Sequence, residues 1–401
     1  MKRKECLVCK KGKLTTILDL GLQPFADTFI PEDLLHETEP IYPLKIDLCD
    51  CCGHIQTHIA TNPDDRYSKY EYSFLSSSSG IAKKHWQEYA KDVNQLTTNK
   101  KKLFVLEIGS NDGYLGKCVI DFGHNYLGVD ASPVMVEIAN KSGIETWYGL
   151  FNIELARKIE KKIKKADFIL ANNVFNHIDD LHSFMDSIDE ILSPDGSFII
   201  EVPYWLLEFK EMNFGKIYHE HVNYFTVKSL KTLFDQFGFK ITDLHVNEYH
   251  GGTMRVYASK DHENTKLVQK HLKDEQENSV HDYMSYPKIS TELKSRRNQF
   301  LVNLMNETKS RIPVIGIGAA AKGNTFLNYH NLDFKTIDYI SDISPTKIGK
   351  YTPMSRIPIV NDDIFEKYNE VIAIVLTENI SPKLKSILLG INPQIKFIDT
   401  I

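Results

Sequence analysis

Polar and apolar positions in this chain change period along its length. Short apolar runs bounded by Gly, Pro, Asn or Asp alternate with stretches of helical spacing. The run Leu103-Phe104-Val105-Leu106 is of the kind that forms a parallel strand buried on both faces. Read this way, strands are expected at 103–108, 125–130, 145–149, 167–171, 197–202, 240–247 and 252–259, with helices between the earlier ones. Such alternation predicts a largely parallel sheet covered by helices on both faces. Residues 81–96, with Trp86 and Tyr89 helically spaced, predict a helix leading into this domain. Residues 260–310 are charged and helical in texture, which suits a solvated face. A second α/β unit opens at Val314-Ile315-Gly316-Ile317-Gly318, and Asp338 to Asp342 gives a further strand ending in an acid.

The chemistry enters at the first turn. Glu107 is followed by Gly109, three residues, and Gly113, and the next strand ends in Asp130. Glycines let the backbone turn sharply and approach a ligand, and an acid at the second strand tip meets a ribose diol. The dinucleotide fingerprint is spaced differently, and it places a pyrophosphate on a helix N-terminus. Here Asp112 lies inside the turn beside Asn111 and would repel a pyrophosphate. It suits S-adenosylmethionine (SAM), which is cationic and has no phosphate. The fourth strand ends in Asn172-Asn173, with His177 on the next helix. That strand end lies beside the first strand, where doubly wound sheets bind ligands. Asn172, Asn173 and His177 are therefore candidates for the site floor.

Composition narrows the setting. The 401 residues are 42% hydrophobic and 25% charged, with a formal net charge of -5. That balance argues against a general nucleic-acid binder. There is no apolar run long enough to span a membrane and no apolar leader at the N-terminus, so a cytoplasmic protein is expected. Five of the six cysteines precede residue 53, as Cys6-x-x-Cys9 and Cys49-x-x-Cys52 with Cys51 spare. Two such knuckles complete a closed, structural tetrahedral zinc site with four thiolates. His54 and His58 are alternative ligands. The fold class expected is α/β: a zinc-binding module over 1–65, a linker loop and helix over 66–98, a Rossmann-like SAM domain over 99–260, a helical connection over 261–310, and a Rossmann-like unit over 311–401.

The densest constellation is Tyr218-His219-Glu220-His221-Val222-Asn223-Tyr224-Phe225. A histidine serves readily as a general base. A glutamate beside it can orient or tune it, and Tyr218 can donate to an oxyanion. His-x-His could alternatively bind a metal. In the C-terminal unit, Ala319-Ala320-Ala321-Lys322-Gly323-Asn324 joins a helix start to a lysine, a ready anion site.

The two cysteine knuckles, L-G-L-Q-P-F-A-D, E-I-G-S-N-D-G, N-N-V-F-N-H, Y-H-E-H-V-N-Y-F, H-G-G-T-M-R and G-A-A-A-K-G-N-T together resemble the SAM-dependent sugar-nucleotide C-methyltransferases, the deoxysugar 3-C-methyltransferases in particular. The resemblance spans nearly the whole chain. It implies a nucleoside-diphosphate 4-keto-deoxysugar substrate. An enzyme base removes a hydrogen next to the ketone, and the enolate carbon attacks the SAM methyl. It further implies His221 as that base, with Tyr218 and Glu220 shaping the pocket near the enolate and His177 and Tyr72 lining the sugar. Tyr70 competes with Tyr72 for that place, and Tyr224, Lys322, Asn324 and Asp342 are further candidates for holding the substrate. The chain departs from the pattern at Tyr351-Thr352-Pro353-Met354-Ser355-Arg356, where the family commonly has glycine after the proline. An O- or N-methyltransferase, and a zinc-ribbon binding module without catalysis, are the other readings. No obligate protein partner is evident.

Overall fold

The computed structural model describes residues 1–62, 75–77, 79–96, 102–212, 214–261, 263–308, 311–376, 381–398 and 400. Tyr70 and Tyr72 lie outside them.

The central sheet has seven strands. In spatial order they are Lys240–Asn247, Thr253–Ser259, Leu192–Pro203, Ala166–Asn172, Phe104–Ile108, Asn125–Asp130 and Thr146–Tyr148. All run parallel except Thr253–Ser259. Chain order reverses between Phe104–Ile108 and Ala166–Asn172, so the ligand crevice opens at their carboxyl ends. Both strands are buried at every position, as a sheet covered on two faces requires. Gly109 ends the first strand at φ +71°, and a Cβ there would sit 2.1 Å from Val174 Cγ2. Only glycine lets this turn pass under the Asn173–Val174 bend.

His177 is not on a long helix, as the sequence suggested, but in a short 3-10 turn, Phe175–His177. Asn173 takes a left-handed conformation that breaks the chain direction. The next helix starts only at Leu181, where Asp180 accepts from the Ser183 amide as its N-cap.

The N-terminal module builds a four-stranded sheet in the order Leu14–Pro24, Ile41–Cys49, Ile55–Thr57, Asn223–Tyr224. The last strand comes from the central domain: Asn223 pairs with Gln56, Tyr224 with Ile55, and the Thr57 amide donates to the Val222 carbonyl at 2.9 Å. The module is docked by an Arg3–Asp179 ion pair and by His182 and Gln236, which both donate to the Val8 carbonyl.

Two helices, Thr265–Glu277 and Tyr286–Glu307, lead to the C-terminal unit. Its five strands are all parallel: Ile359–Val360, Tyr339–Ser341, Val314–Ile317, Val371–Val375 and Ile395–Ile398. The departing loop packs on the N-terminal module, with Arg356 ion-paired to Glu39 at 3.0 Å and the Met354 amide donating to the same carboxylate. Met354, just after Pro353, has φ +62°. The family glycine therefore falls on a left-handed position, which costs a side chain roughly 1–2 kcal/mol. Met354→Gly should raise the melting temperature, and a thermal scan that shows a fall would refute the strain. Among the described residues, no helix is long and apolar enough to cross a membrane.

Candidate active site

The candidate residues fall into three sites. In the first, Cys6, Cys9, Cys49 and Cys52 are buried, with sulfurs all within 4.8 Å of one another. The Cys6–Cys52 and Cys9–Cys49 separations are 3.5 and 3.6 Å. Zinc–sulfur bonds of about 2.3 Å in a tetrahedron put sulfurs about 3.8 Å apart, so the quartet fits zinc. Cys51 is exposed and outside the quartet. His54 is turned away to Asn223, and His58 to Asp47. Among the described residues no other His, Cys, Asp or Glu group is placed to hold a metal, so the His-x-His alternative has no partner set.

The second is the cofactor crevice. Asp130 accepts from the Asn111 and Ser132 amides at 2.8 Å each, which fixes its carboxylate at the strand tip. Asp112 is more occupied than the sequence suggested. It accepts from the Ser76 hydroxyl and, at 3.0 Å, from the Ser77 amide, while Asn111 accepts from the Ser76 amide. The serine segment thus closes over the glycine turn. Glu107 accepts from the Tyr126 hydroxyl at 2.6 Å, and burial pushes its carboxyl up to about 8, so it is largely neutral at pH 7. Ser110 Oγ and the Asn172 amide are buried beside Tyr126 and Glu107 respectively, within reach of them, but make no well-formed hydrogen bond among the described residues. Buried polar atoms of this kind need a partner, and a bound SAM offers one. Asn173 uses its backbone amide on the Glu201 carbonyl. Asp130→Ala should weaken SAM binding by about 1–3 kcal/mol, the scale of a hydrogen bond to a charged group. Calorimetry showing unchanged affinity would refute its role.

Beside this crevice lies a network that sequence reading missed. Fully buried Glu201 receives His85 at 2.7 Å and Arg255 at 2.9 Å. Arg255 also reaches Asp92 and lies 3.6 Å above the Tyr89 ring. His85 stacks on Tyr249 at 3.8 Å, and the Tyr249 hydroxyl is buried without a partner among the described residues. The signal was the Arg of H-G-G-T-M-R, which had no assigned role.

The third site is the loop 216–225. His221 Nδ1 meets the Lys216 carbonyl at 2.9 Å, and Nε2 meets the Tyr218 hydroxyl at 2.5 Å. The His177 ring stands edge-on to His221 at 4.9 Å. Burial, then His177, holds the His221 imidazole well below its ordinary range, so it is neutral. His219 faces the other way, toward the Tyr42 carbonyl and the Phe25 ring. Tyr224 is buried beneath the loop, its hydroxyl 3.5 Å from the Tyr218 carbonyl.

All parts of the chain hold this loop. The Asp27 amide, from L-G-L-Q-P-F-A-D, donates to Glu220 Oε1 at 2.9 Å. Thr325 donates to the Ile217 carbonyl, and the Lys216 ammonium donates to the Gly251 and Gly252 carbonyls. Asn324 donates to the Ala26 carbonyl, and Asp342 accepts from the Ala319 amide. Lys322 lines a cavity of about 80 Å³ with Arg296, Arg297, Phe326, Tyr329 and Phe214. It also acts on His250, which burial and then this lysine bring down to about 4.

Family models match the chain in series. A zinc binding domain covers 6–67, a methyltransferase domain 82–244, and a C-methyltransferase C-terminal domain 248–390. C-methyltransferase NovU of Streptomyces niveus is 28% identical over 358 residues, covering 88% of this chain and 85% of NovU. The chain is therefore a SAM-dependent methyltransferase, similar along most of its length to a C-methyltransferase. A ubiquinone biosynthesis O-methyltransferase of Chelativorans sp. is 30% identical over 95 residues, 23% of this chain and 38% of that protein. The methyltransferase match sets aside the reading as a non-catalytic zinc module.

Glu220 on this loop titrates near neutral pH. Burial raises Glu220 to about 7 from 4.5, with neighbouring Asp27 adding to it. Asp27 is itself raised by burial and lowered by Lys347. A raised carboxyl favours the fold below the unfolded pKa and loses that contribution as pH rises through the folded one. Glu220→Gln, which cannot ionise, should gain on the wild type above pH 7, on the order of 2–4 kcal/mol for a shift of this size. Melting temperatures at pH 5 and pH 8 check this: an equal difference at both would refute it.

Proposed function

We propose that this methyltransferase acts on a nucleoside-diphosphate 4-keto-deoxysugar. It removes the hydrogen on the carbon next to the ketone, C3 in this reading, and methylates the enolate carbon in the cytoplasm without an obligate partner. The observation that supports this is a buried neutral histidine, His221, on a loop held by every domain. Bound SAM supplies the electrophilic methyl group. The protein's own residues do the rest. His221 is the base, and His177 limits water around it. Buried Glu220, beside Asp27, is placed to accept from a sugar hydroxyl. The cavity beyond Lys322 offers three cations for two phosphates and the rings of Tyr329 and Phe326 for a base.

The test is a panel of thymidine- and uridine-diphosphate 4-keto-6-deoxyhexoses, each beside its 4-hydroxy counterpart, with SAM. Mass and NMR analysis should find one new carbon-bound methyl with keto sugars only. Methylation of the 4-hydroxy sugars would sink the enolate reading.

A further inference from the structure

Both nitrogens of the His221 ring are closed. The Lys216 carbonyl can only accept, so Nδ1, 2.9 Å away, carries the ring's one proton. Nε2 is then the bare nitrogen, and the Tyr218 hydroxyl lies 2.5 Å from it. A phenol has one proton, and this geometry commits it to Nε2. The tyrosine ring also covers a face of the imidazole, with centroids 3.9 Å apart, and His177 fills the edge at 4.9 Å. Nε2 is thus covered by the Tyr218 hydroxyl, and of the two residues Tyr218 is the half-buried one while His221 is buried.

We infer that Tyr218 is the residue that takes the proton from the substrate carbon, with His221 as the base behind it. This rests on the keto-sugar reading. In the step, the C–H bond breaks and its proton passes to Tyr218 Oη. At the same time the phenolic proton passes from Oη to His221 Nε2. The C–H electron pair becomes the enolate, whose charge rests on the former ketone oxygen. The residues end as neutral tyrosine and imidazolium, and no oxidant or reductant is needed. After the enolate pair has formed the new C–C bond, the imidazolium proton leaves by the reverse route through Oη to water. The Lys216 carbonyl keeps Nδ1–H in place and accepts more strongly once the ring is charged. The short O···N contact lets both protons move without rearrangement of heavy atoms.

The relay and direct abstraction by His221 predict opposite results for one substitution. The readout is exchange of the α-hydrogen with deuterated water, followed by NMR without SAM, on the same panel of thymidine- and uridine-diphosphate 4-keto-6-deoxyhexoses. In the relay, Tyr218→Phe removes the atom that meets carbon, and exchange falls at least about 10²-fold, as for His221→Ala. In direct abstraction, Tyr218→Phe uncovers Nε2, and exchange persists within about tenfold of the wild type, which overturns the relay. SAM affinity should be unchanged in the variant. Fluorotyrosine at position 218 decides the matter where Tyr218→Phe does not fold. It makes the phenol more acidic, so the alkaline limb of the exchange profile moves to lower pH in the relay, and an unmoved limb overturns it. If the wild type exchanges no member of the panel while still binding SAM, the substrate reading fails, and the relay with it.

Discussion

His221→Ala should bind SAM as the wild type does and yet lose α-hydrogen exchange and methylation together. Loss of a general base costs about 10²–10⁴-fold. The expectation rests on position and on charge state. The ring sits on the loop that the zinc module, the L-G-L-Q-P-F-A-D segment, the H-G-G turn and the C-terminal helix all hold. Burial and His177 hold it neutral, so it can accept a proton at physiological pH. The acid limb that belongs to His221 in the wild-type exchange profile should therefore lie well below pH 6.5. His219→Ala serves as the contrast, because that ring packs on Phe25 and Tyr42 and faces away from the cluster. If His219→Ala abolishes exchange while His221→Ala retains it, the base is misassigned.

Removing zinc should stop methylation while leaving SAM binding intact. The four thiolates close a tetrahedral site, and metal binding in such modules is folding free energy, about 10–16 kcal/mol in small zinc peptides. Without the metal, the Ile55–Thr57 strand loses its anchor, and that strand is the partner of Asn223–Tyr224. The catalytic loop would then move by ångströms, and a misplacement of about 1 Å can cost about 10²-fold. The glycine turn and Asp130 belong to a different sheet, so SAM affinity should stay within about twofold, as for distant independent sites. Cys9→Ser, or chelation under reducing conditions, with metal analysis, calorimetry and a methylation assay, checks this. Equal loss of SAM binding and turnover would show that the module supports the whole fold. Full turnover in a zinc-free protein would remove the link altogether.

Several elements were legible in the sequence because their signals are local. Two C-x-x-C knuckles specify their own ion through spacing alone, and the structure brings those four sulfurs together. The apolar run at 103–108 followed by Gly109 specifies a buried strand and a turn that side chains cannot enter. The acid of Asp130 follows from strand length. The cluster at 218–225 was visible as a density of titratable groups, although its orientation was not.

What tertiary structure decided is which atom of each candidate faces where. Nothing local tells His219 from His221; the Lys216 carbonyl and the zinc-module residue Tyr42 select between them. Asp112 also accepts from the serine segment, a contact that no local spacing announces. Asn324 and Asp342 are candidates by sequence, and only the folded chain shows the backbone partners each also holds, the Ala26 carbonyl and the Ala319 amide. The Glu201–His85–Arg255 network joins residues far apart in sequence, so no spacing could announce it. Knuckles, strands and glycine turns are set by chain geometry over a few residues. The pairing of Asn223–Tyr224 with the zinc module depends on contacts between residues more than 160 positions apart, and those form only when the domains pack.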